Sequence, residues 1–153
     1  MSPLGCPGES QEKTKNVGLI GEVLVGRWIE HHFGQSMTET WQSSYRALVL
    51  GDGKGSDSYG YDFRVVTPDK TLLIEVKASL SDDSQFQLGE SEVRRAQDLQ
   101  PAEEYRIVFV PFAGEPTLAR LIPLPNPFAA GGLQRYRVLG RALRLRSALD
   151  LGE

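Results

Sequence analysis

The sequence predicts an α/β fold in which a central mixed β-sheet is flanked by helices. Three observations carry that prediction. The chain has 153 residues, 40% hydrophobic and 24% charged, which suits a single domain with one core. Apolar residues recur at helical spacing between residues 17 and 33, and a second, shorter helix is expected over residues 90–99. β-rich runs lie between and after these stretches, so the order is helix, strands, helix, strands, with no internal repeat.

Residues 1–15 are polar and rich in Gly, Pro and Ser, and they lack the apolar core of a signal peptide. Leu4-Gly5-Cys6 has the order of a lipoprotein cleavage site, but no hydrophobic stretch precedes it. A disordered leader or a cloning boundary is expected there, with residues 16–153 forming the domain. In the first helix Val17, Ile20, Leu24 and Trp28 form one apolar stripe, Trp28 is assigned to the core, and Gly34 is a natural stop. His31 and His32 are adjacent, so they diverge and suit the negative end of the helix rather than a metal.

Residues 41–50 contain short apolar pieces suited to a strand, in which Trp41 and Tyr45 serve packing or base stacking. Residues 51–60, GDGKGSDSYG, read as a flexible connector. Gly55 follows Gly53-Lys54 where a phosphate-binding loop needs Ser or Thr, and the Asp spacing is not that of a calcium loop. Residues 61–66 and 71–79 are β-rich and flank Thr67-Pro68-Asp69-Lys70, good type I turn chemistry, which predicts a hairpin. Residues 86–88 add a short strand, and Gly89 or Ser91 caps the second helix. The almost wholly apolar residues 105–110 suit the centre of a sheet. Residues 117–122 follow as a strand, then a turn containing Pro123, Pro125 and Pro127, and two further strands over 136–139 and 142–145.

Composition excludes several classes. One cysteine, Cys6, permits no internal disulfide framework and no Cys-built zinc site, and no base stands near it in sequence to make it a nucleophile. No run approaches the roughly 20 apolar residues that a spanning helix needs, so no membrane is expected, and a cytoplasmic location follows from the unpaired cysteine and the missing export signal. The net charge of −3 is uneven. Residues 1–119 carry net −7, whereas residues 120–153 carry six arginines, among them Arg135, Arg137 and Arg141, against two acids. Such a tail suits a polyanion, and equally a strand pair with solvated arginines.

The hairpin holds the informative residues. Alternation puts Leu72, Ile74, Val76 and Ala78 on one face and Leu73, Glu75, Lys77 and Ser79 on the other. A turn centred on Pro68-Asp69 makes 66 face 71, 64 face 73 and 62 face 75. Asp62 then lies across from Glu75, with Cβ atoms roughly 4.5–5.5 Å apart. Two carboxylates so placed repel, and a shared cation is the simplest relief. Oxygen ligands of this kind suit Mg²⁺, which takes one or two carboxylates and keeps several waters. Lys77 projects to the same face, where it suits a phosphate or an attacking water, and Gly60 opposite leaves room for a substrate backbone. The cluster is chemically suited to metal-assisted phosphodiester hydrolysis. Alternating Glu and Lys on a solvated strand is the competing explanation.

Residues 17–110 resemble the PD-(D/E)XK nuclease superfamily, and within it the NO VEIN C-terminal domain family. The resemblance rests on Gly21-Glu22, on Tyr61-Asp62-Phe63, on Ile74-Glu75-Val76-Lys77-Ala78-Ser79, on FQLGESEVRRA over residues 86–96, and on the strand at 105–110. It implies a restriction-endonuclease-like core, a four-stranded mixed sheet with a helix on each side. It also implies that Asp62 and Glu75 are metal-binding acids, with the Val76 carbonyl a further ligand and Mg²⁺ (Mn²⁺ substituting) the cofactor. Lys77 matches the catalytic lysine, and Glu22 the helical acid that completes or tunes the metal site; without the resemblance Glu22 reads as a surface acid. Tyr61 stands where the motif has Pro.

The expectation is a metal-dependent endonuclease acting on nucleic acid, DNA before RNA. Family resemblance also implies association with an ATPase or helicase-like module, in some cases in anti-phage defence, and sequence-specific duplex cutting would call for a homodimer. Gln85 and Gln87, on one face of a short strand, are candidates for substrate contact beside Arg135, Arg137 and Arg141; a solvated edge is the alternative. Glu92 reads as an acid in a first helical turn. The rivals are a non-cleaving nucleic-acid-binding or assembly module, and a purely structural tail domain.

Overall fold

Helix α1 (Pro7–Phe33) is the longest element of the computed structural model, which describes residues 7–139 and 144–148. It begins ten residues before the apolar stripe, so residues 7–15, expected as a leader, have helical backbone. Pro7 suits a first helical turn, and Gln11, Glu12 and Lys13 are good helix formers, so propensity continues the helix where periodicity gives no signal. Val17, Val25 and Ile29 are buried, and His31 and His32 occupy the last turn as expected. Trp28 is not core: it is 38% exposed, stacks on His32 at 5.0 Å, and borders an apolar cavity of about 140 Å³ with Leu72, Ile74 and Val108.

Two short helices follow, α2 (Met37–Thr40) and α3 (Arg46–Leu50). The strand expected over 41–50 is absent; only Trp41 makes an isolated bridge, to Phe63. A four-residue apolar run, Ala47-Leu48-Val49-Leu50, does not distinguish strand from helix by period. Here the buried Arg46 decides: its guanidinium reaches the Trp41 carbonyl, the Thr38 carbonyl at 3.1 Å and Asp52 at 2.6 Å, which requires the chain to fold back. Gly51, at φ 69°, closes α3.

The strands are β1 (Phe63–Val66), β2 (Thr71–Ala78), β3 (Gln85–Gln87), β4 (Glu103–Val110), β5 (Ile122–Leu124), β6 (Tyr136–Leu139) and β7 (Arg144–Ser147), with α4 (Glu90–Gln97) between β3 and β4. The main sheet has the order β1-β2-β4-β5; β2 and β4 are parallel and the other pairs antiparallel. A mixed sheet flanked by helices is therefore present, as predicted. The hairpin register is as predicted from Val66 opposite Thr71 through Arg64 opposite Leu73 to Phe63 opposite Ile74; the pair expected at 62 and 75 lies beyond this ladder, where the Asp62 N–H bonds the Ile74 carbonyl at 2.8 Å instead. The strand expected at 117–122 lies later, as β5, where Pro123 is tolerated because β5 is an edge. A second sheet, β3-β7-β6, is antiparallel throughout. It contains the expected strand at 136–139; residues 142–143 of the other expected strand lie outside the described residues.

Two cores sandwich the main sheet. Phe63, Val65, Leu72, Ile74, Val76, Val108 and Val110 face α1, while Leu73, Tyr105, Ile107 and Phe109 face Ala96 of α4 and Phe86, Tyr136 and Leu145 of the second sheet. The two faces of β2 thus divide as the alternation predicts. Gly21 sets how closely α1 approaches the sheet: a Cβ there would stand 2.7 Å from the Ala78 Cβ, which cannot swing aside. Gly21→Ala should cost about 1–3 kcal/mol, the usual range for overpacking. A lower denaturant midpoint at unchanged slope is the expected reading.

Candidate metal centre and its lysine

An open cleft of about 320 Å³ lies where α1, the start of β1, β2 and α4 meet, lined by Glu22, Tyr45, Asp57, Asp62, Glu75 and Glu92 among others. Each acid arrives on a different piece of chain. Glu22 follows the close-approach Gly21 on α1, and its Oε1 accepts from Trp41 Nε1 at 2.9 Å and from the Ser43 hydroxyl. Trp41 is fully buried and stacked on Phe63, so it serves as a packed donor to Glu22, not as a base-stacking platform. Asp62 immediately precedes β1, and its Oδ2 accepts the Val76 N–H at 2.8 Å. Glu75 lies on the α4-facing side of β2 and is buried.

Lys77 Nζ is 3.4 Å from Glu75 Oε1 and 2.6 Å from Glu92 Oε1. Glu92 also accepts the Gly89 N–H at 3.3 Å, so one carboxylate caps the helix and holds the lysine. The first-turn role read from the sequence is correct, and the contact with Lys77 is what sequence alone missed. The signal available was that α4 must cross the same face of β2 that carries Lys77, which only the fold reveals.

Electrostatically the cleft is unbalanced. Burial pushes Glu22 up to about 7, against the donors Ser43 and Trp41. Asp62 is raised well above the ordinary carboxylate range by burial and then by Glu22, and Glu75 by burial and then by Asp62. Burial alone would lower Lys77, but Glu75 and Glu92 outweigh it, and its ammonium is held above its usual value. Four carboxylates thus share one lysine, an arrangement that favours a further cation.

Among the described residues, no three His, Cys, Asp or Glu side chains converge closely enough to ligate an ion together. One oxygen of the Glu22 carboxylate is engaged by Trp41 and Ser43. The donor set that remains, two carboxylates with Val76 also lining the cleft, fits Mg²⁺, which takes one or two carboxylates and fills its shell with water.

Gly60, at φ 81°, lines the cleft and also makes room for α4, since a Cβ would meet the Ser91 carbonyl oxygen at 2.4 Å and the Arg95 Cβ at 2.7 Å. The glycine-rich loop is pinned, not a free connector. Asp52 pairs with Arg46, and the Asp57 carboxylate accepts from Ser44 N at 3.0 Å and Ser44 Oγ at 2.8 Å. Gln85 and Gln87 are exposed on β3, bordering a separate basin with Ser79, Ser81 and Arg144. Arg135 and Arg137 are exposed on and beside β6, and Arg141 lies outside the described residues.

The family model described as Protein NO VEIN, C-terminal, matches residues 37–122, more than half of the sequence, and the chain belongs to that family. Asp62, Glu75, Lys77 and Glu92 fall within the match; Glu22 and the arginines of β6 and β7 fall outside it. No curated protein and no solved structure matches the chain. No described helix is long and apolar enough to cross a membrane.

Proposed function

We propose that this domain is a divalent-metal-dependent nuclease of the PD-(D/E)XK type, hydrolysing phosphodiester bonds in nucleic acid, DNA before RNA. One observation carries the reading: Asp62 and Glu75, both raised by burial, converge in a cleft whose nearest cation, Lys77, follows Glu75 by two residues. Asp62 and Glu75 would hold Mg²⁺ or Mn²⁺, with the Val76 carbonyl as a further ligand. When bound, the metal supplies Lewis acidity and a water of lowered pKa.

The chain's own groups do the rest. The Val76 N–H fixes Asp62, so its second oxygen is presented in one orientation. Lys77 remains charged between Glu75 and Glu92, able to orient a water or stabilise charge that develops on a phosphoryl oxygen. Glu22 acts at longer range, as a carboxylate whose pKa near 7 suits it to hold or accept a proton from water in the cleft. Association with an ATPase or helicase-like module, and a place in defence systems, belong to the same proposal.

The test is Mn²⁺ titration by calorimetry with plasmid and single-strand cleavage, on wild type and Asp62→Asn. Metal binding and cuts in wild type, both lost in the variant, are expected; metal binding that survives Asp62→Asn would overturn the assignment. Glu92 gives a second, finer prediction. Glu92→Gln keeps an acceptor for Gly89 but removes the charge beside Lys77, and charged hydrogen bonds are worth roughly 1.5–3 kcal/mol. Turnover should fall about 10- to 100-fold at unchanged Mn²⁺ affinity. The alkaline limb of the pH profile should move to lower pH, since a carboxylate that raises Lys77 is gone.

A further inference from the structure

The second sheet packs Phe86, Tyr136 and Leu145 inward, and its opposite face is a row of guanidinium and amide groups. Gln85 of β3, Arg146 of β7 and Arg137 of β6 stand side by side, and Gln87 and Arg144 form the adjacent row; all five are exposed. Arg137 and Arg146 are directly opposite on an antiparallel pair, where like charges destabilise. Asp83, 3.4 Å from Arg146 Nε, and the Gln85 amide oxygen, 3.1 Å from its Nη2, offset part of this. With its amide turned to match the donors beside it, Gln87 accepts from Arg144 at 2.9 and 3.1 Å. Glutamine amides thus hold the Arg144 and Arg146 guanidinium groups, and only Arg146 has a carboxylate, Asp83, among these contacts.

The β2 chain links this face to the cleft. Ser79 follows Glu75 and Lys77 on the same side of the β2 chain, and it borders, with Ser81, Asp83, Gln85 and Arg144, an open basin of about 570 Å³. At ~3.3 Å per residue, Glu75 and Ser79 are ~13 Å apart along the chain. One nucleic-acid strand, with ~3.4 Å rise per phosphate, spans that in about four nucleotides.

We propose that the β3-β7-β6 face binds the sugar-phosphate backbone of a nucleic acid and leads it across Ser79 into the acidic cleft. The proposal rests on the phosphodiesterase reading and names where its substrate is held. Arginine forks match phosphate oxygens bidentately, which relieves the Arg137–Arg146 repulsion. The remainder of the body is acidic, with net −7 over residues 1–119, so it repels a polyanion elsewhere and confines it to this face.

The experiment is fluorescence anisotropy of the full chain with labelled 20-nucleotide single and duplex DNA in EDTA, from low to moderate salt. Arg137→Gln/Arg144→Gln/Arg146→Gln should lower affinity at least about tenfold at low salt and reduce the log–log salt slope by about 2–3, near 0.9 per lost phosphate contact. Arg27→Gln, an exposed arginine of α1, should change neither. Gln85→Glu/Gln87→Glu, which leaves every arginine in place, should act in the same direction and serves if the triple variant does not fold. Unchanged affinity and slope in both variants, or no DNA binding by wild type at low salt, would overturn the proposal. So would equal competition by polyglutamate, which would reassign the face to an acidic protein partner. Mn²⁺ calorimetry on the same variants separates the two readings: intact metal binding with unchanged DNA binding removes only the face, whereas wild type that binds no metal removes the nuclease reading whatever the DNA result.

Discussion

Glu75→Gln is expected to abolish metal-dependent cleavage while making the metal-free protein more stable. The two effects have one cause. Glu75 is buried beside Asp62, and its carboxyl is raised because the charged form loses hydration and is repelled by Asp62, which is itself raised by burial and by Glu22. An amide of the same shape removes that repulsion and keeps the packing. It also removes half of the proposed carboxylate pair, and a catalytic metal supplies several kcal/mol of transition-state stabilisation, so the rate should fall about 10³-fold or more. A thermal melt without metal should show a higher midpoint for Glu75→Gln than for wild type. A melt with Mg²⁺ should show an upward shift for wild type alone. A lower metal-free midpoint would mean that Glu75 is structurally paired, with Lys77 its true partner, and would remove the metal-site reading.

That the site could be located from sequence follows from the rigidity of a two-strand turn. Pro68-Asp69 fixes the register as far as Phe63 opposite Ile74, alternation sends Glu75 and Lys77 to one side, and Asp62, just before the strand, reaches them through its N–H on the Ile74 carbonyl and its carboxylate on the Val76 N–H; each of these steps is local. Non-local parts were not legible. Glu92 is 15 residues from Lys77 in sequence and meets it only because α4 packs on the face opposite α1. Trp41 and Ser43 hold Glu22 from about 20 positions away, which no spacing rule anticipates. The stretch over 41–50 misleads because its apolar run is too short to show a period, while the residue that decides its path, Arg46, is charged and buried. The tail could be read as basic, but not as a face: its arginines become one surface only when β7 inserts between β3 and β6.

The metal-free protein should lose stability as pH rises from about 4.5 to 7, and Mg²⁺ should restore it at the alkaline end. Glu22 gives the sign and the window. Its carboxyl rises from 4.5 to about 7 on folding, chiefly through burial, so between those values the folded chain holds a proton that the unfolded chain has released. The stabilisation is complete below the unfolded pKa and is lost as pH rises through the folded one. A shift of this size corresponds to on the order of 3 kcal/mol for this group. Asp62 and Glu75 shift in the same direction and extend the loss further upward. A divalent ion that binds the ionised pair acts against this trend, stabilising by about 2.7 kcal/mol at a hundred times its Kd, and most at high pH, where no proton competes for the carboxylates. Urea melts at pH 5 and 8, with EDTA and with Mg²⁺, measure all four corners. The expected pattern is a metal-free protein weaker at pH 8 than at pH 5, with the difference narrowed by Mg²⁺. A metal-free stability that rises with pH over this range would show that the cleft acids fold as ionised, satisfied groups, and a repulsive carboxylate pair awaiting a cation would no longer describe them.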